Sequence, residues 1–131
     1  PHLDKQLPIY DNSYSALLND LDDRGLLDTT LVITAGEFGR TPGFNKDKRG
    51  PGRDHWSRCF SLTLGGGGVQ TGRVIGASDK HGAVPTDRPV SVADFAATVY
   101  HALGLDPKAE YAAQGRPMTV LPDGAVVKEL F

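Results

Sequence analysis

Two side chains in this 131-residue sequence stand where chemistry is commonly done. Glu37 lies in Gly36-Glu37-Phe38-Gly39-Arg40-Thr41-Pro42, just after an apolar run, and His55 lies in Gly52-Arg53-Asp54-His55-Trp56, just before another. A carboxylate flanked by glycines can ligate a hard cation or act as a base. Paired with Arg40, three residues on, it is instead an ordinary loop carboxylate. A histidine beside an acid and a bulky aromatic can hold a metal, serve as a general acid, or fill a structural role. Both residues belong to one polar stretch, so both can face one cleft.

That stretch is also where the positive charge sits. Residues 37–58 hold three acids and six bases, whereas residues 1–28 hold six acids and two bases. A solvated loop accounts for such a run; so does a loop that handles anions. Arg40, Lys46, Lys48, Arg49 and Arg53 can neutralise an anionic ester, and the arginine fork matches sulfate or phosphate oxygens. Arg40 and Arg53 are the leading candidates, with Asp54 and His81 as weaker additions to the site. His2 and His101 are set aside, the first at the terminus and the second opposite the apolar face of a helix. No Gly-x-Ser-x-Gly elbow supplies a nucleophile. The run Gly65-Gly66-Gly67-Gly68 lacks the lysine and hydroxyl of a phosphate-binding loop and reads as a turn. Cys59 reads as a buried small hydrophobe rather than a nucleophile.

The elements that must carry these residues follow from the pattern. Tyr14, Leu17, Leu18 and Leu21 keep the spacing of one helix face, with Asp11 or Asn12 as cap and Gly25 as stop. Thr30 to Ala35 is apolar without alternation, which suits a strand buried on both faces of a parallel sheet. Cys59 to Leu64 reads as a second strand, and Arg73 to Gly76 as a short third. More than twenty residues without a clear element separate the first two, a length that compact domains keep for functional loops. Residues 77–90 read as loop. Ser91-Val92-Ala93-Asp94 has the form of a capping box, opening a helix with Val92, Phe95, Ala96, Val99 and Leu103 on one face. Met118 to Leu121 and Ala125 to Val127 flank a turn at Pro122-Asp123-Gly124. Helix, buried strand, strand and helix predict an α/β fold.

Composition narrows the function classes. Fourteen Lys+Arg against sixteen Asp+Glu give a net charge of −2, which argues against a nucleic-acid binder driven by bulk charge. No apolar run reaches the roughly 18 residues of a membrane span. A single cysteine excludes an internal disulfide and a cysteine-rich zinc site. At 14.0 kDa one domain with a modest core is expected, burying about two thirds of the unfolded surface.

Taken together, Leu31 to Pro42, Gly52 to Trp56, Val74 to Asp79, Asp87 to Val90 and Asp94 to Gly104 resemble the C-terminal part of the domain of unknown function 1501 family. This family comprises exported bacterial proteins, abundant in planctomycetes and sulfatase-like in architecture. Its members are about three times this length, so the resemblance implies a larger domain whose remaining chain is a partner of this segment. It also implies a periplasmic or extracellular location. The family is in turn similar to the alkaline phosphatase and sulfatase superfamily, whose fold is a three-layer α/β/α sandwich with a mostly parallel sheet. There, an Asp-His pair at a strand end binds metal and a later histidine binds a second. Glu37 stands where that Asp would be and His55 where the later histidine would be, implying a divalent metal (Zn, Ca, Mg or Mn). Phe38 replaces the paired histidine and cannot coordinate a cation, so one metal site is weakened or rebuilt. The superfamily's nucleophile lies in the N-terminal half, outside residues 1–131.

Two functional expectations result. One is a sulfatase- or phosphatase-like hydrolase acting on sulfate or phosphate esters, with Glu37 and His55 as metal ligands and Arg40 and Arg53 on the anion. In that case this segment by itself is expected to be inactive. The other, favoured by Phe38, is a non-catalytic relative that binds an anionic glycan or a surface partner.

Overall fold

In a computed structural model, the structure describes residues 3–46 and 51–131. A long helix, α1 (Leu3–Asp23), opens the chain, followed by a 3-10 turn at Leu27–Thr29. Eight short strands follow: β1 (Val32–Ala35), β2 (Gly39–Arg40), β3 (His55–Trp56), β4 (Leu62–Gly65), β5 (Ala77–Ser78), β6 (Pro85–Asp87), β7 (Glu110–Ala113) and β8 (Arg116–Thr119). Helix α2 (Val92–Ala102) lies between β6 and β7, and a second 3-10 turn, Lys128–Leu130, comes near the end.

The expected α/β sandwich with a mostly parallel sheet is overturned. Among the described residues the strands form four separate antiparallel pairs, β1 with β4, β2 with β3, β5 with β6 and β7 with β8. The reason is physical. An unbroken apolar run predicts burial on both faces, but β1 alternates. Val32 and Thr34 are half-buried, while Ile33 and Ala35 face solvent. Strand β4 is shorter than expected and returns antiparallel, with Val32 opposite Gly65 and Ala35 opposite Leu62. Residues 73–76 form no strand, and the 77–90 segment read as loop contains the β5–β6 pair.

Helix α1 begins eight residues before the expected cap and accommodates Pro8. Its packed face is Tyr14, Leu18 and Leu21, each half-buried, whereas Leu17 is exposed. Tyr10 stacks on Tyr14 with ring centroids 5.5 Å apart and donates a 3.2 Å hydrogen bond to the hydroxyl of Thr34, tying the helix to β1. The glycine run is a turn, as expected, and the reason for one glycine is close approach. Gly66 has φ +69°, and a Cβ there would collide with the carbonyl oxygen of Thr30.

The capping box is formed as read. The Ser91 hydroxyl accepts from the Asp94 N–H and the Asp94 carboxylate accepts from the Ser91 N–H, both at 3.0 Å. The second oxygen of Asp94 accepts from the Ala125 N–H at 2.7 Å. Thr98, 1% exposed, donates to the Asp94 carbonyl at 2.6 Å and accepts from the Val127 N–H at 3.0 Å. Asp94 and Thr98 therefore tie the final segment to α2. Val69, Ala97, Thr98 and Val127, with Gly65 at the end of β4, make up the buried interior among the described residues. The accessible surface is 9875 Å², against about 6,700 Å² for a typical folded monomer of this mass. Folding thus buries about half of the unfolded surface rather than two thirds.

Candidate functional site

The long segment between β1 and β4 is less formless than its sequence implies. Strand β2 pairs with β3, placing Arg40 opposite His55 and Gly39 opposite Trp56. Thr41 extends the junction. Its N–H donates to the Asp54 carbonyl at 3.0 Å, and its hydroxyl accepts from the Asp54 N–H at 3.1 Å. Further out, the Asn45 side-chain amide donates to the Asp54 carboxylate at 2.8 Å, while its carbonyl oxygen accepts from the Gly52 N–H at 3.0 Å. Asp54 is thereby a fastener of the loop. Gly39 has to be glycine because a Cβ would run into the backbone carbonyl of Cys59.

This ladder brings Glu37 and His55 to the same end of the segment. Phe38, next to Glu37, stacks on His55 with centroids 3.7 Å apart and planes 21° from parallel. Arg40 lies over the other ring of that stack, 5.7 Å from the Phe38 centroid. Both Glu37 and His55 are exposed. Phe38 covers a face of the imidazole, and imidazole ligates through in-plane nitrogens at its edge, so the stack orients the ring without capping its donors. Two donors are fewer than the three or four protein ligands of a typical zinc site. Among the described residues no group of three or more His, Cys, Asp or Glu gathers to hold an ion. A divalent cation does not fit these two residues alone.

The arginines converge elsewhere. A groove of about 590 Å³ is lined by Arg40, Arg53, Arg73 and Arg88, with Asp87 as its one acidic side chain. Ser61, Thr63 and Ser78 also line it. Arg40 gives one donor to the Arg53 carbonyl at 3.3 Å, and Arg53 sits 6.0 Å from the Phe44 ring centroid. Arg73 gives one donor to the Glu129 carbonyl at 3.0 Å. Each of these three guanidinium groups carries five N–H donors, so most remain for an anion. Arg88 is different, because it makes a forked pair with the Glu129 carboxylate at 2.6 and 3.0 Å.

That fork holds the Glu129 carboxyl down to about 2, chiefly through the hydrogen bonds from Arg88. The folded value lies below the ordinary 4.5, so the pair's contribution is complete above about 4.5 and is lost as pH falls towards 2. Asp79 and Asp94 are shifted in the same direction, mainly by the N–H groups of Ala83 and Ala125. The melting temperature is therefore expected to drop on acidification through this window, and Glu129→Gln to show a shallower drop. Thermal unfolding followed by circular dichroism at stepped pH checks this; parallel curves for the two proteins would count against the pair.

The other candidates separate. Lys46 is exposed and does not line the groove, and Lys48, Arg49 and His2 lie outside the described residues. His81 is exposed on the turn between β5 and β6, where the Asp79 carboxylate accepts from the Ala83 N–H at 2.7 Å. The Ala83 carbonyl in turn accepts from the Trp56 indole at 2.7 Å. Cys59 is free and half-buried, ahead of β4 rather than within it. His101 packs edge-on against Phe131 with centroids 4.9 Å apart. Sequence reading missed Arg73, which has no charged neighbour in its segment to draw attention to it; only folding sets it beside Arg40 and Arg53.

The family model described as Protein of unknown function (DUF1501) matches residues 1–131. The chain belongs to this family. No curated protein and no solved structure matches it. Among the described residues of this DUF1501 chain, no helix is long and apolar enough to cross a membrane.

Proposed function

We propose that this DUF1501 chain recognises the anionic group of a sulfate or phosphate ester, as part of an ester hydrolase related to the alkaline phosphatase and sulfatase superfamily. The observation that carries this reading is the groove onto which Arg40, Arg53 and Arg73 open, with Asp87 as its acidic side chain. Arginine forks suit tetrahedral oxyanions, and three of them on one concave surface raise the local concentration of an anionic ligand. The relation to the superfamily rests on residue patterns and not on sheet topology. It carries with it an expectation of export to the periplasm or cell surface. Among the described residues, Glu37 and His55 are the donors this reading gives a divalent ion, whose remaining ligands would have to come from elsewhere. No step is assigned to that ion.

The Phe38–His55 stack favours a second reading, a relative that binds an anionic glycan without turning it over. The two are separated by assaying sulfate- and phosphate-ester cleavage with zinc, calcium, magnesium or manganese supplied, alongside metal analysis of the full-length protein. The hydrolase reading expects bound metal that is lost in Glu37→Ala and His55→Ala, with turnover reduced on the order of 100-fold. A metal-free protein whose two variants behave like the parent would sink it. Saturable binding of a sulfated glycan with no turnover under any metal supply would establish the second reading instead.

A further inference from the structure

A second cavity adjoins the arginine groove. It measures about 260 Å³ and lies between β4, the 69–73 segment, α2 and the final residues. Its lining is mostly apolar, with Leu64, Val69, Phe95, Val127 and Leu130 among the contributors. Val69 and Val127 are 9% and 3% exposed, so they floor the cavity rather than rim it. The buried polar group on that floor, the Thr98 hydroxyl, already donates to Asp94 and accepts from Val127. Among the described residues no buried side-chain polar atom lacks a partner. The floor therefore presents no unpaired buried side-chain polar atom and favours an apolar occupant, while the polar members of the lining, Thr63, Gln70, Thr71 and Arg73, border it.

The two spaces share a wall. Leu62, Thr63, Arg73, Ile75 and Val90 line both of them. Arg73 consequently stands at the junction, with a guanidinium available to the groove and the apolar cavity beside it. A ligand matching both would carry an anionic head on the arginine side and an apolar tail of several carbons on the other. A cavity of about 150 Å³ suffices for benzene in a well-packed interior, so 260 Å³ leaves room for a short alkyl tail.

We infer that the anion recognised by this chain is the sulfate or phosphate ester of an apolar alcohol, with the head on Arg40, Arg53 and Arg73 and the tail in the Phe95–Val127 cavity. This rests on the anion-recognition reading above and narrows it. It also makes Arg73 a specificity-determining residue, because it is the one arginine whose side chain borders both spaces.

Isothermal titration of the full-length protein with inorganic sulfate, ethyl, butyl and hexyl sulfate, hexyl phosphate and a sulfated disaccharide tests the assignment. Affinity is expected to rise about threefold to fourfold per methylene along the alkyl series until the cavity is filled, because each buried methylene adds apolar burial. Hexyl sulfate should bind at least about tenfold more tightly than inorganic sulfate. The ratio of hexyl sulfate to hexyl phosphate affinity distinguishes the two heads. Val90 is 39% exposed, so Val90→Trp can obstruct the passage from the surface, and it should bring the hexyl-to-inorganic ratio towards one. Arg73→Ala should weaken every ligand in the series. A flat alkyl series alongside measurable sulfate or disaccharide binding overturns the tail assignment and leaves anion recognition standing. Absence of binding for every sulfated and phosphorylated ligand overturns both. The alkyl series needs no mutant, so its outcome decides even if Val90→Trp fails to fold.

Discussion

Charge reversal at Arg40 and Arg53 together is expected to lower the affinity for a sulfate ester on the order of 100-fold or more. Each arginine contributes at least one charge-assisted hydrogen bond to a bound oxyanion, worth about 1.5–3 kcal/mol. Losing two removes about 3 kcal/mol or more, and every 1.4 kcal/mol is about a factor of ten. Placing carboxylates at the same positions adds repulsion. Both side chains are exposed, and beyond the 3.3 Å bond from Arg40 to the Arg53 carbonyl their contacts are long ones to the Phe38 and Phe44 rings. The fold is thus expected to survive. Lys46→Glu is the informative control, since Lys46 belongs to the same basic stretch but does not line the groove. If bulk charge along that stretch governed binding, Lys46→Glu would cost nearly as much as a reversal at Arg40. The groove expects a change of less than about threefold for it, and binding that weakens with added salt. Titration calorimetry of the three proteins at two ionic strengths checks both points.

The largest effect on stability is expected at Thr98. Its hydroxyl donates to the Asp94 carbonyl and accepts from the Val127 N–H, and the side chain is 1% exposed. Thr98→Val keeps the shape but leaves the Val127 N–H buried without an acceptor. Stranding one buried donor costs about 1–3 kcal/mol, which for a chain of this size is a drop of roughly 4–12 °C in melting temperature. Thr98→Ser restores the acceptor and should recover most of the loss. A melt of Thr98→Val indistinguishable from that of the parent would show that the final segment is held to α2 by something else.

The legibility of this chain in its sequence varies from one segment to the next. The capping box at Ser91 and Asp94 was readable because it is local, with both partners three residues apart and both hydrogen bonds made within one turn. The glycine run was readable for the same reason. The direction in which β1 and β4 pair was not, since an apolar run states that a strand is covered without saying which strand covers it. The run Thr30 to Ala35 looked doubly buried, yet Ile33 is 37% exposed. The sequence sets Glu37 at one end of the long segment and His55 towards the other, but it does not show that the Phe38 ring stacks on the face of the imidazole. Half of the arginine groove was visible as a basic stretch. Arg73 comes from beyond the glycine turn, and its arrival there is a product of tertiary folding alone.

The isolation of the four strand pairs has a consequence for how the groove behaves in time. Arg40 stands on β2, Arg53 beside β3, Ser78 on β5 and Pro85 on β6, while Arg73 comes from the stretch before β5. No hydrogen-bonded ladder joins the β2–β3 pair to the β5–β6 pair among the described residues. The described bond between them is the one from the Trp56 indole to the Ala83 carbonyl, so the walls of the groove are joined far more sparsely than strands of one sheet would be. An anion seated across Arg40, Arg53 and Arg73 acts as a cross-link between pieces the backbone leaves uncoupled. Its affinity then includes the entropy of stilling those walls, and occupancy should slow their opening together.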